Sequence, residues 1–420
     1  MGYITWRVDY TPYSKGTWDS GDTVTVTNPR DILVSVNLGE AKDSFTLNSS
    51  NFNSLNNNKF NPNDRIEIYR TSNTDSINTT TDLLMTGTVK NSPDMVGNNI
   101  DTTKIEGYNY SEAVTSAIVF ADGRTLNIPN ALQLALTKAG NNNAFKITWD
   151  SSNPSTKVGG GAFDNVDEKW FNWTLKKILE QYSSSMYTGD GAYYWYVTKD
   201  NKLKWFSQND SNKFTEYTFK YTTDEVESIK TAKDIKEVKN HIIIKGGYAP
   251  DGKGIQHSEI DYASVNKHGR KYLFHISKVN NATDIVKEDT GSSTTKYPAS
   301  YVGFVTSWKS SVTATVEGVT MTKGSTVSGI DSDTKYNACI RAHIKGLLQA
   351  EAQEILVFYK YGKLKIDLGF RAGTKSWILG DLVTCTLPQA YTGSKVLRVN
   401  EIQYSTTTDR FSLVEDEGTL

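Results

Sequence analysis

Two stretches near opposite ends of the chain follow one plan, and that plan leaves few folds open. Asn63-Asp64-Arg-Ile-Glu-Ile68 is a turn ending in Asp that opens an alternating strand, and Gly380-Asp381-Leu-Val-Thr-Cys385 repeats it. A second pair of segments follows in each copy: Thr86-Gly-Thr-Val89 then Lys104-Ile-Glu-Gly107, and Leu397-Arg-Val399 then Arg410-Phe-Ser-Leu413. Side chains two residues apart share one face of a strand, so each copy reads as a small antiparallel unit with one face buried. Two like units in one chain suit a ring with twice as many units as chains. Small barrels also share this turn-Asp-strand grammar without duplication, and both explanations stay open at this point.

The rest of the chain fits a mainly β protein. It holds 31 Gly and only 9 Pro among many Thr, Asn and Ser, which favours strands joined by polar turns. Val34, Val36 and Leu38, then Phe45 and Leu47, then Ile66 and Ile68 alternate within a first tube-like β-barrel domain at 31–120. Residues 1–30 read as an aromatic N-terminal arm or edge element. An α+β inserted domain is expected at 121–237, with a helix capped by Asn130 and stopped by Gly140, and another marked by Phe171, Leu175, Ile178 and Tyr182. Within it, Tyr193 to Val197 and Leu203 to Phe206 flank a hairpin turn. A second tube-like β-barrel domain is assigned to 238–275 and 335–420. It includes the buried strand Ile242-Ile-Ile244, a turn at Gly246-Gly247 and an amphipathic helix from about 335 to 358. Between its parts lies a β-rich insertion, 276–334, expected at the surface like the arm.

Charge is balanced, 46 Lys plus Arg against 47 Asp plus Glu, so the total points to neither a nucleic-acid nor a membrane-surface protein. Cys339 and Cys385 read as small buried apolar side chains. His241, His257, His268, His275 and His343 form no metal-ligand pattern and read as surface or strand residues. Gly159-Gly-Gly161 lacks the Lys-Ser/Thr ending of a phosphate loop and reads as a turn. Acidic pairs such as Asp164 with Asp167 or Asp331 with Asp333 carry little specificity among 47 acids. Trp170, Trp173, Tyr193, Tyr194 and Trp195 could form a sugar platform, but their spacing favours a core. No catalytic, cofactor-binding or metal-ligating residue is assigned, and no cofactor or enzyme activity is expected. The N-terminus lacks a signal-peptide pattern, and no run is long and apolar enough for a spanning helix.

The ordered set of motifs resembles the baseplate hub family of contractile-tailed phages, which includes the late-control gene D group and the hub part of type VI secretion spikes. Asn63-Asp64-Arg-Ile-Glu-Ile, Met85-Thr-Gly-Thr-Val and Lys104-Ile-Glu-Gly-Tyr-Asn look like the first tube-like domain of that family. Trp173 to Tyr182 with Lys202-Leu-Lys-Trp-Phe looks like its inserted domain. Val238-Lys-Asn240-His-Ile-Ile-Ile-Lys-Gly246 and Asn266-Lys-His-Gly269-Arg270 are similar to the start of the second barrel and its Tyr-Gly-Arg turn, with His268 where an aromatic is usual. Leu379-Gly-Asp-Leu-Val, Leu397-Arg-Val and Phe411-Ser-Leu-Val-Glu complete the set.

The resemblance implies a homotrimeric structural hub that adapts a hexameric tail tube to a trimeric central spike. Its implied partners are the tail tube protein, the spike and other baseplate proteins, with DNA passing through the channel without specific binding and no membrane anchor. The implied location is the tail baseplate of a virion assembled in the host cytoplasm. The competing expectation is a carbohydrate-binding adhesin or tail-tip receptor-binding protein, resting on the aromatics and the Asn/Thr-rich loops.

Overall fold

The computed structural model describes residues 4–14, 17–27, 29, 31–39, 43–49, 61–71, 76–91, 94–97, 100–139, 147–166, 168–183, 188, 191–210, 215–234, 238–248, 252, 254–277, 300–302, 313–322, 326–328, 330, 332–360, 363–387 and 394–415. The chain forms two compact units, Met1–Ala232 with Lys365–Leu420, and Lys233–Leu364.

In the first unit the strands are β1 (Thr5–Thr11), β2 (Val24–Thr27), β3 (Asp31–Asn37), β4 (Ser44–Ser49), β5 (Arg65–Thr71), β6 (Leu83–Asn91), β7 (Asp94–Gly97) and β8 (Ile100–Asn109). An α+β segment follows: α1 (Glu112–Ser116), β9 (Ile118–Asp122), α2 (Ile128–Ala139), β10 (Thr148–Trp149), β11 (Lys169–Thr174), α3 (Leu175–Ser183), β12 (Tyr193–Val197) and β13 (Lys202–Ser207). The chain then adds β14 (Glu216–Lys220) and β15 (Ser228–Asp234). The second unit holds β16 (His241–Tyr248), β17 (Gly254–Ile260), α4 (Tyr262–His268), β18 (Tyr272–Ile276), β19 (Ser300–Val302), β20 (Thr313–Val316), β21 (Val319–Thr322), β22 (Thr326–Ser328) and α5 (Asp333–Tyr359). Finally β23 (Lys363–Arg371), β24 (Leu382–Thr386), β25 (Ser394–Ser405) and β26 (Thr408–Glu415) return to the first unit.

The fold is mainly β, as expected, and is dominated by one curled 14-stranded sheet. Its order is β15-β23-β26-β25-β3-β4-β8-β6-β5-β1-β2, with β24 beside β25, β14 beside β24 and β7 beside β8. Val8, Val34, Leu47, Ile68, Val89 and Ile105 fill the core of its N-terminal half. Leu368, Phe370, Phe411 and Leu413, all 0% exposed, are buried in the C-terminal half.

The N-terminal segment is not an arm. β1 pairs with both β5 and β2, and Trp6, Val8 and Tyr10 are buried in the core. The alternation of these three residues is a strand signal; the Gly, Asp and Thr around them are the turns that return the chain to the sheet.

In the α+β segment, Ile128 and Pro129 open α2, and the Asn127 side chain accepts the Asn130 N–H at 3.1 Å. Asn127 therefore caps the helix rather than Asn130, and proline sits in the first turn, where no N–H is needed. Phe171 is on strand β11 instead of a helix and is 66% exposed. Asn172, with φ of 62°, gives β11 its irregular register against β9 before α3 begins.

The second unit differs from the expected second barrel. Residues 241–276 form their own sheet, β17-β18 flanking β16 in the order β17-β16-β18, which packs on α5; the C-terminal strands β23–β26 belong to the large sheet. Ile242 and Ile244 bury against Ile340, Ile344 and Leu348 of the helix, so their alternation marks a sheet face covered by a helix. Gly246 and Gly247 lie inside β16 at a bulge rather than in a turn. A side chain at Gly246 would meet the Ser277 Cβ at 2.8 Å.

The α5 helix begins at Ser332, whose hydroxyl accepts the Lys335 N–H at 3.3 Å. It is buried on more than one side, against β16 and β17 and against the β20–β21 hairpin, which explains the small residues Ala338, Ala342, Ala350 and Ala352 along it. Ala314, Val319 and Met321 of that hairpin are buried in this core, so this part of 276–334 is not a surface attachment. Much of the remainder of that span lies outside the described residues.

His343 is buried on α5, contrary to its reading as a surface or strand histidine, and burial lowers its pKa to about 4. The folded protein therefore holds it neutral while the unfolded chain protonates near 6.5. Stability from this group is present above pH 6.5 and is lost as pH falls toward 4, by up to about 3 kcal/mol. Urea titrations at pH 7 and pH 4.5 should show a smaller acid loss for His343→Gln than for the wild type; an equal loss would refute the assignment.

A second comparison tests the helix orientation. Leu348→Asp, at a fully buried position, should cost several kcal/mol, while Gln349→Asp on the partly exposed side should lie within about 0.5 kcal/mol of wild type. Equal melting temperatures for the two variants would overturn it.

Candidate functional site

The large sheet contains its own repeat. The first strand set reads β3-β4-β8-β6-β5-β1 across the sheet and the second reads β15-β23-β26-β25-β24-β14, differing at the last step, where β1 pairs antiparallel with β5 and β14 parallel with β24. The hydrogen bonds agree atom for atom around the turn-Asp motif. Asn63 N–H donates to the Val89 carbonyl and Val89 N–H to the Asp64 carbonyl; Gly380 N–H donates to the Val399 carbonyl and Val399 N–H to the Asp381 carbonyl, all at 2.9 Å.

Each carboxylate also closes its own turn. Asp64 accepts the Asn61 N–H at 2.5 Å, and Asp381 accepts the Ile378 N–H at 2.8 Å. The preceding residues, Asn63 (φ 75°) and Gly380 (φ 90°), are left-handed, a conformation that Gly and Asn adopt most readily. A flanking segment then donates to the second oxygen, Tyr13 N–H to Asp64 at 2.7 Å and Thr215 N–H to Asp381 at 3.3 Å. Tyr10 adds its hydroxyl to Asp64 at 2.8 Å. Burial raises the Asp381 pKa, opposed by the two N–H donors and the Arg398 charge.

The repeat extends to a bulge. Val89 pairs with Gly107 and Asn91 with Glu106, leaving Lys90 extra; Val399 pairs with Leu413 and Glu401 with Ser412, leaving Asn400 extra. Beyond this bulge, β25 runs on so that Glu401–Ser405 pair with Leu33–Asn37 of β3, joining the second strand set to the first. The Asn400 carbonyl accepts the Leu38 N–H at 2.8 Å at the same joint. In the first set β7 takes the place of that extension: Asp94 faces Thr103 as Tyr404 faces Asp409.

Among the described residues four strands of the sheet have a single neighbour, β2, β7, β14 and β15, and two of them, β7 and β15, lie at the ends of the step that joins the sets. Among the described residues β7 pairs only with β8, although its counterpart in β25 pairs with β3. Likewise β15 pairs only with β23, although its counterpart β3 is bonded on both sides. Thr86 and Val396 are equivalent by the same register; Thr86 is 3% exposed and Val396 37%. These edges are the candidate functional site.

The residues weighed for chemistry fall elsewhere. Trp170, Tyr193 and Trp195 are buried in the core of the α+β segment, and Tyr194 lies against Phe206 and under the Arg398 guanidinium. Cys339 and Cys385 are buried thiols in different units, and burial pushes Cys385 up to about 12. His241 contacts the Ser258 hydroxyl, His257 pairs with Glu259 and His275 with Glu351. Asp164 is an exposed side chain, Asp333 begins α5, and Asp167 and Asp331 lie outside the described residues. Among the described residues no group of three or more His, Cys, Asp or Glu side chains is placed to hold a metal, and no helix is long and apolar enough to cross a membrane.

No protein-family model and no curated protein matches the chain. Solved structures do match its fold. A tail protein from Neisseria meningitidis MC58 superposes with a TM-score of 0.56 at 10% identity, over 99% of this chain and 97% of that one. The 43 kDa tail protein of prophage MuSo2 from Shewanella oneidensis gives 0.54 at 10% identity over 98% of each chain. Prophage tail protein gp18 from Listeria monocytogenes EGD-e gives 0.50 at 10% identity, over 99% of this chain and 95% of that one. The chain therefore has the fold of phage tail proteins along nearly its whole length.

The equivalence of the two Asp turns predicts equal effects. Asp64→Ala and Asp381→Ala each remove a buried carboxylate that closes a turn and ties a flanking segment to it, and should each cost about 2–4 kcal/mol in urea denaturation. Asp367→Ala, on the solvent face of β23, should change stability by less than about 0.5 kcal/mol. A silent Asp381→Ala would break the equivalence.

Proposed function

We propose that this chain is a structural hub of a phage-type tail, a homotrimer in which three chains set their six strand sets in one ring. The observation that carries this reading is the pair of open edges. Within the chain, a β25 extension bonds to β3; the same step taken between chains would bond β7 and its continuation to the neighbour's β15. Contacts of this head-to-tail kind close when the rotation divides the circle, and six steps of about 60° require three chains. The exposed Val396, where Thr86 is buried, fits the same step, since its cover would come from the next chain.

A ring that is nearly six-fold through its strand sets and three-fold through everything present once suits an adapter. The duplicated sheet would meet a hexameric tail tube protein, and the single α+β segment and second unit would meet the central spike and other baseplate proteins. The fold shared with solved tail proteins supports a virion component; as a structural hub it would have no enzyme activity and would be assembled in the host cytoplasm. On the solvent face of the sheet, cations stand beside anions two residues along, as in Arg65–Glu67, Lys104–Glu106 and Lys365–Asp367. Such pairs leave little net positive charge to hold a nucleic acid, which fits passage of DNA without specific binding.

The test is the mass of the assembled ring by native mass spectrometry. Wild type and Val396→Thr should assemble at three times the chain mass when the tube partner is present. Val396→Asp should keep the monomer's melting temperature within about 2 °C and lose the trimer, because it places a charge in the joint between chains and not in the chain's own core. A dimer, a hexamer or an unaffected Val396→Asp trimer would refute the arrangement.

A further inference from the structure

The sheet of the second unit has one face on α5 and the other in solvent, and the solvent face is unusually apolar. Register places His241, Ile243 and Lys245 of β16 opposite Tyr272, Phe274 and Ile276 of β18, and opposite Ile260, Ser258 and Gln256 of β17. Phe274 is 74% exposed, Ile276 82% and Tyr272 46%. The rings of Tyr272 and Phe274 lie nearly parallel, 6.2 Å apart, and His241 packs against Tyr272 at 4.7 Å. Three consecutive outward positions of one strand thus present two aromatics and an isoleucine to water. Soluble proteins seldom leave such rows uncovered except where something docks.

Two further features narrow the occupant. First, β18 is the terminal strand of this sheet, bonded to β16 alone among the described residues. Its outer edge can accept another strand, with main-chain bonds giving affinity and alternate side chains giving selectivity. Second, the charged groups on and beside this face are cationic. Lys245 is exposed within it, and exposed Arg270 lies close enough to His241 to lower the imidazole pKa together with burial. The acid of β17, Glu259, alternates to the opposite face, where it pairs with His257. Among the described residues of the nine strand positions facing solvent, none is acidic. Self-pairing of this face would set Lys245 and Arg270 against their own copies, which disfavours a second chain as occupant.

We propose that the β18 edge and its aromatic row dock an extended, acidic segment of another protein, added as a strand with apolar side chains over Phe274 and Ile276 and carboxylates toward Arg270 and Lys245. This docking is independent of the trimeric ring, since it uses a different unit and a different edge.

The experiment uses the full-length protein and two fluorescent 10-residue peptides, one alternating Val with Glu and its twin alternating Val with Lys. The acidic peptide should bind with anisotropy that saturates, and its binding should weaken at least tenfold in Phe274→Ser and in Arg270→Glu. Amide hydrogen exchange should slow in 272–276 on binding and stay unchanged in β7 and β15. Val396→Asp should bind the peptide as wild type does. Equal binding of both peptides, no binding of the acidic one, or protection elsewhere would overturn the proposal. Tighter binding of a single-stranded oligothymidine would assign the face to nucleic acid and overturn it as well. Concentration-dependent dimers lost in Phe274→Ser would assign it to a second copy with the same result.

Discussion

The architecture of the first unit depends on the joint where β25 leaves its own strand set and bonds to β3. Five consecutive residue pairs, Glu401 with Asn37 through Ser405 with Leu33, convert two separate strand sets into one continuous sheet. An isolated set would end in an open edge on each side, a liability that proteins cover or pair. The joint covers the β3 edge with the β25 extension, while β2, β7, β14 and β15 each keep a single neighbour among the described residues. It is fixed from the side as well. Arg70 of β5 makes two hydrogen bonds to Asp409 of β26, at 2.8 and 2.7 Å, and its guanidinium stacks over the Trp6 and Tyr404 rings. Asp409 is fully buried and accepts the Gly373 N–H too, so removing either partner would strand a buried charge.

The repeat was legible because it rests on local chemistry. A left-handed Asn or Gly, an Asp that accepts the N–H three residues back, and an alternating strand after it all lie within eight residues, and each has a residue signature. The Lys90 and Asn400 bulges have none, since an extra residue shows only when the partner strand is known. The same limit misassigned 238–275. Ile242 and Ile244 announce a buried strand face, but alternation does not say whether a sheet or a helix covers it, and here α5 does. Trp6, Val8 and Tyr10 carried a readable alternation that the surrounding turn residues obscured. The open edges β7 and β15 could not be read at all, because an edge is defined by partners far along the chain.

The position of the second unit in the chain follows from the repeat. In the first set six residues separate β3 from β4, whereas in the second set the whole span from β15 to β23 is occupied by Lys233–Leu364. Adjacent antiparallel strands can be joined by two residues or by a domain without altering their pairing, because loop closure grows costly only slowly with length. The insertion therefore leaves the strand order of the second set the same as that of the first. The α+β segment is placed by the same logic between β8, the last strand of one set, and β14, the first of the other. Each element present once per chain sits at a connection, where the sheet tolerates it.

The two kinds of joint in the proposed ring cannot be chemically alike. The register that equates Asp64 with Asp381 also equates Arg70 with Leu387, and the one that equates Glu106 with Ser412 equates Thr103 with Asp409. Leu387 is a buried apolar side chain, so the position of the Arg70 guanidinium has no charge in the second set. A joint between chains built on these equivalents would keep the backbone bonding and lose the ion pair. Buried ion pairs add little net stability over apolar contacts, but their strict partner geometry selects one register. Arg70 and Asp409 thus assign β25 to β3 of its own chain, which a symmetric pair of joints would leave undecided. In the proposed ring the positions equivalent to Arg70 and Asp409 would meet only when a second chain arrives, and this difference in chemistry would turn six-fold-like strand sets into a three-fold assembly.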